Sequence, residues 1–405
     1  MKREKFLSMP PEITVVMPCL NEAETLADCI AAARAGIKDC GLEGEIIVAD
    51  NGSTDGSREI AARLGARVVE VPEKGYGNAL KAGMQAASGR FLVMGDADRS
   101  YDFSKIEPFV AKLRGGFDLV MGCRMPSGGG TIAQGAMPWK HRWIGNPILT
   151  WIGRTLFNCP SHDFHCGLRA LTKQAFLEMN LTTSGMEFAS EMVIKASLRG
   201  MRIAEVPITL HKDGRSRPPH LRSWRDGWRH LRFMLLFSPR WLLLYPGVVL
   251  FGVGGAGFLR LLAGPVAVRG VNFDLNTLEV AGLVMLFGYQ MVLFACFVRI
   301  FAFTRGFLPA NHALAKAFRF FTLEKGLFAG LALCAAGGVL IVLTLFDWAA
   351  SGFGDLDPLV ATRAVITGRT LVSLGGQTVL FSLIFSYLGI EEKHPPLAPA
   401  PAGLG

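Results

Sequence analysis

The sequence predicts two architectures in one chain: a mostly parallel, Rossmann-like α/β domain that binds a nucleotide, then an all-α domain of four membrane spans. Three observations predict this. Short β-rich runs alternate with helical segments over residues 13–120, the pattern of a parallel sheet with crossover helices. Long runs with few charges fill residues 241–390. The composition agrees, with 50% hydrophobic and 19% charged residues. A mean hydropathy of +0.34 is too high for an ordinary soluble enzyme of 405 residues.

The elements follow in order. Ile13–Met17 is a strand, and Glu22–Ala35 a helix with Leu26, Ile30 and Ala33 near one face. Glu45–Ala49 is the second strand, Gly56–Leu64 the second helix and Arg67–Val71 the third strand. Ala79–Ala87 is helical, Phe91–Met94 is the fourth strand, and Leu119–Met121 another. Such a set has too few repeats for a closed eight-fold barrel. After the flexible loop Ser127–Gly130 comes an amphipathic stretch carrying Trp139, Trp143, Ile144, Ile148, Leu149, Trp151 and Ile152. In Leu221–Phe237, Trp224, Trp228, Leu231 and Leu235 recur at helical spacing, with Arg222, Arg225, Arg229 and Arg232 on other faces. This helix either packs on the soluble domain or lies in the headgroup plane, Trp and Leu inward and Arg on phosphates; its place beside a span favours the second.

Apolar runs at about 242–259, 277–298, 326–346 and 365–389 each approach or exceed the length of a spanning helix. Tyr245-Pro-Gly247 is expected to kink the first. The 299–325 connection carries Arg299, Arg305, Lys316, Arg319 and Lys325, while segments 260–276 and 347–364 carry two and one basic residues. The positive-inside rule then puts the N-terminal domain, that connection and the Glu391 tail in the cytosol, as in a bacterial inner membrane. Expected domains are therefore 1–220 soluble, 221–240 interfacial, 241–390 spanning and 391–405 a disordered Pro/Ala/Gly tail. Gly252, Gly254 and Gly255 would permit helix pairing and a homo-oligomer.

Charge and cysteines narrow the class. Net charge is +9, and between His211 and Arg240 eight Lys or Arg stand against two Asp. That patch directly precedes the first span, where a membrane surface would meet it. No zinc-finger, RNP or helix-turn-helix signature accompanies it, so nucleic acid is not an expected partner. Eight scattered cysteines without a CxxC pair, and a charged start lacking an apolar core, fit a reducing cytosolic setting. The spans hold few ionisable residues, chiefly Glu279 and Arg299 near their ends, which speaks against a transporter with a polar path.

Chemistry concentrates where strands end. Asp96-Ala-Asp98 follows the strand Phe91–Met94, at the edge where open α/β sheets bind ligands. Two carboxylates so placed can hold a divalent cation bridging a diphosphate, and oxygen-only ligands favour Mg²⁺ or Mn²⁺; the plainer reading is a solvated turn. Asp50, ending the second strand, can accept the N–H of a uracil or guanine ring, while Asp55 serves as a helix cap. Pro18-Cys-Leu-Asn-Glu22 ends the first strand and is placed to cradle a base and ribose. Gly75-Tyr-Gly77 is short of a dinucleotide fingerprint, and no phosphate-loop motif occurs. The run Cys159 to Cys166 matches no zinc spacing; within it Asp163 is the candidate wall of an acceptor site.

At these residues the sequence resembles the family 2 glycosyltransferases, in particular the dolichyl- or polyprenyl-phosphate hexose synthases. The matching pieces occur in family order: Val16–Glu22, Val48–Gly56, Lys74–Ala79, Met94–Asp98, Gly122–Arg124, Asp163–Arg169 and Glu205–Thr209. The resemblance covers roughly residues 12–240. It implies an A-type glycosyltransferase fold and an inverting transfer from a nucleotide-sugar. It also implies that Pro18, Glu22 and Asp50 hold the nucleoside, with Asn21, Asn51, Lys74 and Arg169 among the substrate contacts. Asp96 and Asp98 would hold the metal and diphosphate, Arg124 would meet phosphate, and Arg142 and Asn146 would meet the acceptor phosphate. Asp98, Asp163 and Arg124 are the catalytic set. The sequence departs from the family pattern at Asn51, usually a second Asp, at Ser100, at Asn146, and in its four-span tail.

Elementary chemistry favours a polyprenyl-phosphate acceptor. A phosphate monoester is already ionised near neutral pH and needs positioning and positive charge rather than a strong base. A lipid alcohol, or a growing polysaccharide, would require a carboxylate base, for which Asp163 is the candidate. The Gln-x-x-Arg-Trp motif of processive synthases is absent from the sequence. Nothing separates UDP- from GDP-linked donors.

Overall fold

β1 (Ile13–Cys19) is the strand on which the first unit is built. Nearly every residue in it is buried, because helices cover both faces of the sheet. Val15 and Met17 point to the side of α1 (Leu26–Asp39), and Val16 to the side of α3 (Tyr76–Ala86) with Leu80 and Met84. Parallel neighbours β2 (Gly44–Asp50) and β4 (Phe91–Met94) flank β1, and β3 (Arg67–Glu70) extends the sheet beyond β2. Register sets Cys19 beside Asp50 and Val16 beside Met94, so three strands deliver their carboxyl ends to one edge. α2 (Ser57–Arg63) joins β2 to β3. α1 begins later than the sequence suggests because Asn21 takes a left-handed conformation, φ 59°, and residues 22–25 form a turn.

The second half of the sheet contains a reversal the sequence pattern does not reveal. After α4 (Glu107–Arg114), β5 (Leu119–Cys123), β6 (Thr131–Ile132) and α5 (Asn146–Phe157), β7 (Arg169–Thr172) enters antiparallel between β4 and β5. Strand order is β3-β2-β1-β4-β7-β5-β8, with β8 (Ile203–Pro207) parallel to β5. Because β7 runs backwards, its first residue, Arg169, pairs with both Met94 and Met121. The loop before it therefore meets the same edge as the ends of β1, β2 and β4. α6 (Lys173–Met179) and α7 (Phe188–Leu198) follow β7, and β9 (Thr209–Leu210) pairs with β6.

α8 (Ser223–Leu236) packs on α5 and α7. Its inward residues are His230 and Met234, whereas Trp228 is 56% exposed, so the buried stripe differs from the Trp/Leu stripe read from the sequence. His230 Nδ1 lies 2.8 Å from the Ser190 hydroxyl, a partner that rewards placing a polar ring inside. The computed structural model describes residues 11–216, 223–304 and 322–391. The tail beyond Glu391, most of the 299–325 connection, Arg217, Arg222 and the first ten residues lie outside the described residues.

A second unit begins at Ser238. It comprises α9 (Tyr245–Leu262), a hairpin of β10 (Val266–Val268) and β11 (Val271–Phe273), α10 (Leu275–Thr304), α11 (Leu323–Ala350) and α12 (Pro358–Glu391). Among the described residues, four helical segments, beginning at Arg240, Leu275, Leu323 and Pro358, are long and apolar enough to cross a membrane. The irregularity expected at Pro246 is a wide π-type turn at Arg240–Leu244, which makes room for the proline ring one turn later. Glycines let α9 and α10 touch backbone to backbone: a Cβ on Gly254 would lie 2.4 Å from Met285 N, and one on Gly288 2.3 Å from Phe251 N. Gly254 is thereby committed within the chain rather than to a second copy. Arg363–Asp274 at 2.5 Å and Arg369–Glu279 at 2.7 Å tie α12 to α10, adding two arginines to the ionisable residues counted from sequence.

Gly288→Val should force α9 and α10 apart and cost about 1–3 kcal/mol or more. Thermal unfolding of the detergent-solubilised protein should show a lowered midpoint; an unchanged midpoint would rule out the close packing.

Candidate active site

The loops after β1 and β2 are knitted together. Asn21 N–H donates to Ser53 Oγ at 2.8 Å, Thr54 N–H to Asn21 Oδ1 at 2.8 Å, and Glu22 N–H to Ser57 Oγ at 2.9 Å. Asp55 accepts the N–H and hydroxyl of Ser57 at the start of α2, but the N-cap position itself is Gly56, so Asp55 braces the turn from one residue before the cap it was expected to form. Asp50 is 1% exposed and accepts from Arg58 Nε at 2.6 Å and from the N–H of Gly52 and Ser53. Burial acts to raise its pKa, but the Ser53 and Arg58 hydrogen bonds outweigh it and the value is lowered. Pro18 is half-buried beside this loop, and Lys74 is exposed ahead of α3.

Three carboxylates meet at the edge. Glu22 and Asp98 are 4% and 7% exposed, and Asp96 is partly buried. One guanidinium lies among them: Arg215 donates from Nε and Nη2 to Glu22 at 2.9 and 2.8 Å, and Nη1 is 3.2 Å from Asp98 Oδ2. Burial first, and the charge of Asp98 second, push the Asp96 pKa up to about 7, against the charge of Arg215, which lowers it. Gly167 is needed here, since a Cβ on it would sit 3.0 Å from the Tyr101 ring and 3.1 Å from Asp96 Oδ2. Among the described residues no group of three or more His, Cys, Asp or Glu side chains is placed to hold a metal ion by itself. Excess negative charge, oxygen-only donors and two neighbouring carboxylates fit Mg²⁺ or Mn²⁺ of the kind whose shell is completed by substrate phosphates and water.

A second ion pair faces this cluster from the ends of β5 and of the 159–168 loop. Arg124 donates from Nε and Nη2 to Asp163 at 2.6 and 2.8 Å, and its backbone N–H donates to the same carboxylate at 2.9 Å. Asp163 has no exposed surface. Burial acts to raise its pKa, but the Arg124 charge and hydrogen bonds prevail and lower it. The charge of Arg124 also reaches His141, whose pKa is lowered first by burial and then by Arg124, which sets the start of the Trp-rich segment beside this pair. In that segment Arg142 lies over the Trp143 ring at 5.3 Å, and its Nε is buried without a partner among the described residues. Asn146 Nδ2 donates to Met137 Sδ at 3.3 Å.

Three residues picked from sequence do other work. Arg169 is fully buried and donates to the carbonyls of Cys166, Ala189 and Phe164, so it braces the core and is sealed from any substrate. Asn51 uses both ends of its amide on the next loop, donating to Val71 and Glu73 carbonyls and accepting from Gly75 N–H. Asp163 is committed to Arg124 rather than standing open as an acceptor wall. Sequence reading missed Arg215, hidden in a basic run, which bonds Glu22 and Asp98.

Comparison with known proteins bears on this geometry. Residues 14–178 match the profile of glycosyl transferase family 2, and residues 296–389 that of the family 2 C-terminal transmembrane region. The low-salt glycan biosynthesis hexosyltransferase Agl6 of Haloferax volcanii is 37% identical over 373 residues, 89% of this chain and 87% of that protein. The chain belongs to the family 2 glycosyltransferases. A dolichyl-phosphate hexose transferase of the same organism is 31% identical over 197 residues, 49% of this chain and 82% of that protein. A glucosyl-3-phosphoglycerate synthase of Mycobacterium tuberculosis, solved with Mn²⁺, uridine diphosphate and phosphoglyceric acid, overlays with a TM-score of 0.42 at 24% identity, over 56% of this chain and 77% of that one. The first unit is thus an A-type glycosyltransferase fold and the second a helical membrane domain, making the chain an integral membrane glycosyltransferase.

Asp163→Asn should cost about 3–5 kcal/mol by leaving Arg124 buried without its counter-charge. With its folded pKa lowered, Asp163 contributes stability above the unfolded carboxylate value of about 4 and loses it as pH falls toward the folded value. Urea unfolding of the wild type should weaken over that acid range, and the variant should weaken less. Identical acid slopes would contradict the pairing.

Proposed function

We propose that the enzyme transfers a hexose, with inversion, from a UDP- or GDP-linked donor to a polyprenyl phosphate at the cytosolic membrane surface. Pro18, Asn21, Glu22 and Asp50 line the nucleoside end of the sheet edge. Asp96 and Asp98 are the residues that would hold Mg²⁺ or Mn²⁺, and the bound ion offsets the charge on the departing nucleoside diphosphate. Arg215, already among these carboxylates, is placed to pair with the diphosphate.

The observation that carries the acceptor is the state of Asp163. A lipid alcohol needs a carboxylate to take its proton, yet this one is held by Arg124 with its pKa lowered. A phosphate monoester needs only alignment and positive charge. Residues 119–162 contain no Asp or Glu but include Arg124, Lys140, Arg142 and Arg154. Trp139, Trp143 and Trp151 in that stretch are 62%, 67% and 67% exposed, the amphipathic rings that settle at headgroup level. The relative named as a dolichyl-phosphate hexose transferase supports the same acceptor class.

Asp98→Ala should abolish transfer without changing the thermal midpoint by much; retained metal-dependent activity would sink the assignment. Arg142→Ala should raise the KM for undecaprenyl phosphate by roughly 10- to 100-fold, the value of one charge-assisted hydrogen bond, with the donor KM unchanged. Thin-layer analysis with labelled nucleotide-sugars should show label on undecaprenyl phosphate; label on a lipid alcohol alone would replace this reading.

A further inference from the structure

Glu205, on β8, spends both carboxylate oxygens on the loop that leads into Asp163. Oε1 accepts from the Ser161 hydroxyl at 2.6 Å, from the His162 N–H, and from the Asp163 N–H at 3.2 Å. Oε2 lies 2.8 Å from His162 Nδ1, and since a carboxylate only accepts, that nitrogen carries the imidazole proton. Successive backbone N–H groups turned toward one point make a site for an anion, and here the chain supplies the anion itself. Ser161 and Asp163 have no exposed surface, so neither can turn to water for these bonds.

What the loop carries next explains why it is held. Asp163 gives one oxygen to Arg124 Nε and the other to Arg124 Nη2, at 2.6 and 2.8 Å. A guanidinium is planar and rigid, so this two-point hold fixes both where Arg124 lies and which way its remaining nitrogen points. That nitrogen, Nη1, has no protein partner among the described residues, which leaves it for a ligand. The circuit also closes through the sheet. β8 pairs in parallel with β5, Met121 beside Glu205, and β5 runs on to Arg124.

We infer that Glu205 is a positioning residue for the transfer site: by pinning Ser161–Asp163 it sets the plane of the Asp163 carboxylate, and so the direction in which Arg124 presents Nη1 to the acceptor phosphate. The inference rests on the reading of a phosphate acceptor beside Arg124. Glu205 touches no substrate in this scheme and acts only through Asp163 and Arg124.

The test uses the purified full-length enzyme with undecaprenyl phosphate and undecaprenol in parallel arms, and separate saturation curves for acceptor, donor and Mn²⁺. Glu205→Gln should raise the undecaprenyl-phosphate KM by roughly tenfold, the worth of one hydrogen bond to a charged group. The donor KM and the Mn²⁺ concentration for half-maximal rate should stay as in the wild type. A mere loss of folded protein would instead lower the maximal rate and leave every KM alone. On an Arg124→Lys background, which keeps the charge on Asp163 but lacks the planar fork, Glu205→Gln should add less than about twofold. His162→Ala removes the ring bond and leaves the backbone donors on Oε1, so its shift should fall well short of that of Glu205→Gln. Should Glu205→Gln fold poorly, Ser161→Ala removes one donor to Oε1, with a smaller shift expected in the same direction. A wild-type acceptor KM in Glu205→Gln, or in Ser161→Ala where it stands in, would overturn the inference. So would equal shifts in donor and acceptor KM, a full multiplying effect on the Arg124→Lys background, or a His162→Ala shift as large as that of Glu205→Gln. Label reaching undecaprenol but not undecaprenyl phosphate in the wild type would instead remove the phosphate reading, and the inference with it.

Discussion

Three carboxylates crowded at one sheet edge, Glu22, Asp96 and Asp98, set the constraint around which the first unit is arranged. Like charges held together in a partly buried place repel, and their ordinary outcome is to separate or to take up protons. Here strand register fixes two of the loops, β1 supplying Glu22 and β4 the aspartates, so separation is not open to them. The fold answers with Arg215 among the carboxylates, bonded to Glu22 and Asp98. What remains is a surplus of negative charge that a cation would offset.

The other half of the site has the opposite character, and the reversed strand is why. β7 enters antiparallel, so the loop that precedes it arrives at the edge where the parallel strands end. It brings Asp163 to Arg124 and lets the pair close on itself, leaving a neighbourhood with basic side chains and an acid-free stretch of chain. A cluster of carboxylates around Arg215 and a closed Arg124–Asp163 pair thus share one sheet edge. Arg169 makes the arrangement rigid from beneath, its guanidinium saturated by carbonyls of the loop and of α7.

Much of this was legible in the sequence. β1, β4 and β5 announced themselves because strands buried on both faces must be continuously apolar, and the carboxylates that follow β1 and β4 could only lie at their ends. The four spans were legible for a similar reason: length and apolarity are enough. The direction of β7 was not, because local pattern carries no information about which way a short strand runs. Nor did it separate Arg169, satisfied inside, from Arg215, at work in the site; both are arginines near a motif, and only tertiary placement tells them apart. In α8 the periodicity showed a Trp/Leu stripe, and Trp228 is indeed exposed, but the side that packs on α7 was not legible, because there a single hydroxyl makes His230 a buried residue.

The ion pairs of the second unit carry a consequence for how the chain is made. α9 meets α10, and α11 meets α12, through glycine-lined faces between helices adjacent in sequence, so each hairpin can close as its second helix emerges. Glu279 and Arg369 belong to different hairpins, 90 positions apart, and so do Asp274 and Arg363, 89 apart. During synthesis both acids leave the ribosome two helices before their partners exist. The first hairpin therefore exists before the arginines that pair with its carboxylates, and only the last helix brings them.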